Sequence, residues 1–201
     1  MKTVDYKSLA TQYRVRQIKK LFTAAVVMIV MFFAASVIPV AGLAAMIAFI
    51  YLLMESIKAV ILSLVRRKGN KVLKNKGLWN DAMTAMENAV HIQVDKQCFA
   101  VTDKYLFLPY GMILELNRIA WVYMQIQTTR FFYIPVMKMN ICQFKLLDET
   151  TALAFYGKVK DMEAFKKLLL VLKLQIPELL IGYTGENQKM YQKMVAEHKN
   201  A

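Results

Sequence analysis

The chain is poor in the residues that most chemistry needs. It has two cysteines and two histidines in 201 residues. The cysteines, Cys98 and Cys142, form no CxxC and have no histidine close in sequence, so a metal site or a Cys–His nucleophile is not expected. Both fall in apolar, strand-like surroundings, where a free cysteine packs as a small hydrophobe. The seven glycines are scattered, and no GxGxxG, GxxxxGK[ST], GxSxG or HExxH occurs. Nothing calls for a cofactor, and the reading is of a protein that is not an enzyme. Acidic residues are also scarce, 14 against 27 lysines and arginines, which leaves a formal charge of +13.

That charge is unevenly placed. Lys2, Lys7, Arg14, Arg16, Lys19 and Lys20 against Asp5 give residues 1–20 a charge of +5, and Arg66, Arg67, Lys68, Lys71, Lys74 and Lys76 add +6. Only +2 remains for residues 77–201. A nucleic-acid groove needs its cations on a folded face, so nucleic acid is not an expected partner.

Between the two basic clusters lies an almost uncharged stretch, Leu21 to Val65. Leu21–Ile38 carries no charge and, as a helix, spans about 27 Å, close to a hydrocarbon core of about 30 Å. Pro39-Val40-Ala41-Gly42 is expected to reverse the chain, and Leu43–Val65 to return as a second helix, since lipid admits only segments that satisfy their own backbone. Basic flanks and an uncharged turn place both termini in the cytoplasm of a multi-pass cell-membrane protein. A signal peptide cleaved near Ala34-Ala35-Ser36 is the rival; the charged leader and the long apolar run argue against it.

Four regions follow: a basic leader, 1–20; the hairpin, 21–65; a basic juxtamembrane linker, 66–76; and a cytoplasmic domain, 77–201. Tyr6, Leu9 and Tyr13 share one face of the leader, which suits a helix lying at headgroup level before turning inward. Arg14, Arg16, Lys19, Lys20, Arg66, Arg67, Lys68 and Lys71 make a basic collar for anionic headgroups. Glu55 and Lys58, three residues apart, are the charged pair within the apolar stretch. They read as a local structural pair. As a transport path, they would make the protein a small transporter or channel accessory subunit, and replacing both by Leu would then abolish flux.

After Gly77 a short helix is expected, capped by Asn80 or Asp81. Strands follow to Tyr156: one containing Phe99 and Val101, then Tyr105–Leu108, a turn at Pro109-Tyr110-Gly111, and Met112–Asn117. Ile119–Gln127, a polar loop at Thr128-Thr129-Arg130, the strand Tyr133–Leu147 and the strand Thr151–Tyr156 complete the run. In Tyr133–Leu147 the apolar positions change phase beyond Cys142, the mark of a β-bulge. Phe131-Phe132-Tyr133 beside Arg130 is a candidate membrane-dipping or partner-binding edge. A helix capped by Asp161 buries Phe165, Leu168, Leu169, Leu172 and Ile176 and ends at Pro177. Glu178–Gly182 is a short link, and Gly185–Lys199 a last amphipathic helix.

This order suits an α+β fold: a transmembrane hairpin, then an antiparallel sheet or partly open barrel capped by C-terminal helices. In Val101-Thr102-Asp103-Lys104-Tyr105-Leu106, Ile119-Ala120-Trp121-Val122-Tyr123 and the helix from Asp161, the chain resembles the bacterial pleckstrin-homology-like membrane proteins. The likeness covers about residues 90–176 and is architectural. It implies a β-barrel capped by one helix and a binding or scaffolding role, with a protein partner and a possible homo-oligomer. Phosphoinositide-binding members carry a basic cluster in the first hairpin loop, where this chain has only Lys104 beside Asp103. The trailing helix 185–199 is also outside the pattern.

Overall fold

The computed structural model describes residues 6–34, 39–95, 97–131, 134–156 and 162–200. Two long helices open the chain: α1, Tyr6–Ala34, and α2, Pro39–Asn75. They run antiparallel, with residues 19–31 of α1 beside 44–51 of α2. Apolar side chains dominate their outer surface; Phe22, Phe32, Phe33, Leu43, Ile47 and Leu64 are each more than half exposed. By length and composition both are able to cross a membrane, over Ala10–Ala34 and Gly42–Asn75, with mean hydropathy 1.7 and 2.0.

The ends of these helices depart from expectation in three ways. Pro39–Gly42 is not a turn but the first turn of α2, with proline at a helical position where its missing N–H costs nothing. The basic stretch from Arg66 to Asn75 is not a linker but the continuation of α2, which has no helix breaker there except Gly69. The leader is likewise continuous with α1, and Tyr6 and Tyr13 pack on the β-rich body rather than lying free for a membrane surface. The Ala35-Ser36 bond and the side chain of Leu9 lie outside the described residues.

A short helix α3, Trp79–Ala85, follows. Its N-cap is Leu78, with no side-chain cap. Asp81 falls inside the first turn instead and accepts a hydrogen bond from the Tyr105 hydroxyl at 2.7 Å. Four antiparallel strands then form one sheet in chain order: β1, Val90–Val94; β2, Gln97–Val101; β3, Tyr105–Phe107; and β4, Ile113–Glu115. The second sheet is built on a long hairpin of β5, Ile119–Phe131, and β6, Ile134–Leu146, with β7, Thr151–Tyr156, beyond β6.

Thr128-Thr129-Arg130, expected as a loop, belongs to β5 and pairs with β6. The phase change at Cys142 is real: the β6–β7 register shifts between Cys142 and Gln143. Helix α4, Met162–Gln175, buries Phe165, Leu168 and Leu172; Asp161 lies outside the described residues. The link after Pro177 contains β8, Leu180–Ile181, which pairs parallel to β5 through Trp121 and Val122. Helix α5, Gly185–Asn200, closes the chain.

The fold is α+β, with two antiparallel-based sheets that do not close into a barrel. Phe99, Leu106, Val122 and Phe144 from the sheets and Leu168 and Leu172 from α4 share one core, fully sealed from solvent. Leu62 of α2 belongs to the same core, so the long helices are packed onto the body. Around Trp121, α5 docks through Tyr191 and Met194, and the Tyr191 hydroxyl donates to the Leu146 carbonyl at 2.8 Å.

Candidate functional site at the junction of helices and sheet

The junction is organised by the β3–β4 turn. Leu108 and Met112 close it, with the Gly111 N–H donating to the Leu108 carbonyl at 2.8 Å. Gly111 has φ +82°, the left-handed conformation that a three-residue hairpin loop requires at its third position and that glycine adopts without strain. A side chain there would also meet Ala10, whose Cβ lies 3.0 Å from the position of an added Cβ.

Two side chains hold this turn to the helices. Tyr6 of α1 donates its hydroxyl to the Gly111 carbonyl at 2.8 Å. Asn70 of α2, itself buried, donates through Nδ2 to the same carbonyl at 2.9 Å and to the Tyr6 hydroxyl at 3.1 Å. Its Oδ1 accepts from the Ile113 N–H at 3.1 Å. Burial raises the Tyr6 pKa, against the lowering effect of Arg66 and the Asn70 bond; the phenol stays a neutral donor through the physiological range. Tyr6 also meets Trp79 edge-on at 5.6 Å between ring centroids.

Beside this clamp, α1, α2 and α3 border an open cavity of about 570 Å³. Arg14, Arg66, Arg67, Lys71 and Lys74 line it, with Tyr6, Asn70 and Trp79, and among the described residues no acidic side chain does. Lys74 Nζ stands 4.6 Å over the Trp79 ring. Among the described residues none of the five cations forms an ion pair.

A second cavity, about 550 Å³, is acidic by contrast and includes Asp81, Asp103, Glu115 and Glu178. Two of these carboxylates, Glu115 and Asp81, are engaged in ion pairs. Lys76 reaches Glu115 at 2.8 Å, Arg118 reaches the same oxygen at 3.5 Å, and Lys104 reaches Asp81 at 3.7 Å. The Lys76–Glu115 pair ties the end of α2 to β4, and the Lys104–Asp81 pair ties the β2–β3 turn to α3. Among the described residues no three His, Cys, Asp or Glu side chains gather as a metal site.

The chain matches no family model, no curated protein and no solved structure. The site must therefore be read from its own geometry.

Of the eight collar residues, the structure brings Arg14, Arg66, Arg67 and Lys71 to one cavity. Lys19 and Lys20 border a different space, an apolar groove of about 700 Å³ between α1 and α2 that ends at Tyr51. Arg16 and Lys68 are exposed and line neither cavity. Glu55 is buried one turn beyond Tyr51, so it sits close to the height of Lys19 and Lys20 rather than deep between the apolar segments. The Lys58 side chain, and Phe132 and Tyr133 at the β5–β6 tip, lie outside the described residues.

The sequence alone gives Tyr6 no clamping role and Asn70 and Trp79 no role at the site; Lys74 counts there only as a cation and Gly111 only as part of a turn. A signal was present: Arg66, Asn70 and Lys74 recur every four residues, which on a helix puts them on one face. Treating 66–76 as a linker hid it.

Proposed function

We propose that this chain is an integral membrane protein that holds a cytoplasmic, pleckstrin-homology-like binding or scaffolding domain against the membrane surface, without catalysing a reaction. One observation carries the reading. The apolar side chains of α1 and α2 point outward along the uncharged stretch, whereas the same helices are packed against the β-rich body only near their basic ends. A core helix of a soluble protein shows the opposite pattern. An exposed apolar surface of this extent needs a nonaqueous environment, and basic residues at one end favour the cytoplasmic face. The pleckstrin-homology-like character rests on two antiparallel-based sheets whose shared core is sealed by α4.

The test has two parts. The full chain, expressed in bacteria, should stay with the membrane pellet after alkaline extraction; release into the supernatant would end the membrane reading. Crosslinking in native membranes should then capture a defined protein through the 77–201 surface. Turnover of a metabolite, abolished by mutating one polar cluster of that domain, would overturn the non-enzymatic assignment.

A further inference from the structure

We propose that the cavity between α1, α2 and α3 is a binding site for the phosphate of an anionic phospholipid headgroup, and that the bound lipid bridges the helix pair and the β-rich body. The proposal rests on the membrane reading above and goes further by naming the ligand and its residues.

Three observations carry it. The first is charge: five cations border one cavity that, among the described residues, no carboxylate lines. Like charges held together repel, and a site of this kind is stabilised by an anion. Two of the arginines, Arg14 and Arg66, come from different helices, so a phosphate between them is gripped from both sides by planar donors suited to its geometry.

The second is depth. Arg14 lies seven residues before Leu21, and Arg66 directly follows Val65. At about 1.5 Å per residue, the cavity opens within roughly 10 Å of the hydrocarbon edge, next to the headgroup layer. Basic pockets between helices at the cytoplasmic face are the usual receptors of lipid phosphates. A freely diffusing anion has no reason to prefer that depth; a lipid headgroup is held there at high local concentration.

The third is architecture. Tyr6 and Asn70, the two clamp side chains that hold Gly111, line the cavity, as does Trp79 of α3, held under Lys74. All three helices therefore meet at the ligand, and the β3–β4 turn lies one hydrogen bond behind Tyr6 and Asn70. Occupancy neutralises the repulsion that otherwise loosens this junction.

The experiment uses the full chain in nanodiscs of phosphatidylcholine with increasing phosphatidylglycerol. Native mass spectrometry counts anionic lipids retained after release. Wild type should retain phosphatidylglycerol preferentially. Arg66→Gln combined with Lys71→Gln should reduce that retention at least tenfold. The control Arg16→Gln with Lys68→Gln removes the same charge outside the cavity and should retain lipid within about twofold of wild type.

Equal loss in both double variants would mean a diffuse collar and would overturn the proposal. So would retention unchanged in the cavity variant. A second readout guards against misfolding. The chain has two tryptophans, and Trp121 is buried at the α5 contact, so anionic lipid should change Trp79 emission in wild type and not in the cavity variant. Inorganic phosphate added to phosphatidylcholine discs should not reproduce the change; if it does so at micromolar concentration, the ligand is a soluble anion and the lipid assignment fails. A chain that does not enter discs at all refutes the membrane reading, whereas entry without lipid preference refutes only this site.

Discussion

Replacing Asn70 by alanine isolates the energy of the junction. Asn70 makes three hydrogen bonds, but they are not equal in consequence. The Gly111 carbonyl also accepts from Tyr6, so it keeps a partner when Asn70 is removed. The Ile113 N–H has Asn70 Oδ1 as its acceptor and belongs to a residue that is 2% exposed. Alanine leaves that N–H buried without its acceptor, a penalty of about 1–3 kcal/mol, and the lost bond to Gly111 adds about 1 kcal/mol. We predict a total of about 2–4 kcal/mol against docking of the turn on the helices. Tyr6→Phe removes one hydroxyl whose acceptor remains satisfied, and should cost about 0.5–1.5 kcal/mol. Hydrogen–deuterium exchange of the full chain checks both. The Ile113 amide should exchange at least tenfold faster in Asn70→Ala, since 1.4 kcal/mol is tenfold in an equilibrium constant. In Tyr6→Phe that amide should change less. If Tyr6→Phe perturbs it as much as Asn70→Ala does, the clamp does not work by satisfying Ile113.

Further predictions test other parts of the fold. Gly111→Ala should destabilise by about 1–2 kcal/mol, because the turn needs a left-handed backbone there, and thermal unfolding in detergent reads the loss. Leu168→Ala, in the sealed core under α4, should cost about 2–5 kcal/mol in the same assay. Tyr105 has its pKa pushed up to about 12, by burial first and then by its bond to Asp81. A proton held more tightly in the folded state stabilises it below the ordinary tyrosine value, and that stability is lost as pH rises through about 12; Tyr105→Phe should flatten the alkaline limb of a stability–pH curve. Burial raises the pKa of both thiols, that of Cys142 far above its ordinary value. Maleimide on the native chain should therefore leave Cys142 unmodified until unfolding, while half-buried Cys98 reacts slowly.

What could be read in the sequence, and what could not, divides along a physical line. Local periodicity was reliable: the stripe Phe165, Leu168, Leu172 and the phase change at Cys142 are properties of one segment and its own alternation, and both are present. Helix continuity is not legible from charge, because a basic run marks no boundary of the helix itself. Arg66 to Asn75 is polar, but arginine, lysine and asparagine are all compatible with a helix, and tertiary contacts of Leu62, Asn70 and Leu73 carry α2 through it. Thr128–Arg130 looks like a loop by composition and is a strand through pairing with β6. The strand Leu180–Ile181 is two residues long and exists only through β5, so no local pattern could announce it. The clamp was invisible for the same reason: Tyr6, Asn70 and Gly111 are brought together across more than a hundred residues of chain.

The continuity of α2 has one more consequence. A helix of 37 residues is about 55 Å long, and no joint separates its apolar part from the part seated on the sheets. A domain on a flexible tether reorients freely; here the β-rich body shares one continuous helix with the apolar segment. Any tilt of the apolar segment is therefore carried directly to the sheets packed on the same helix.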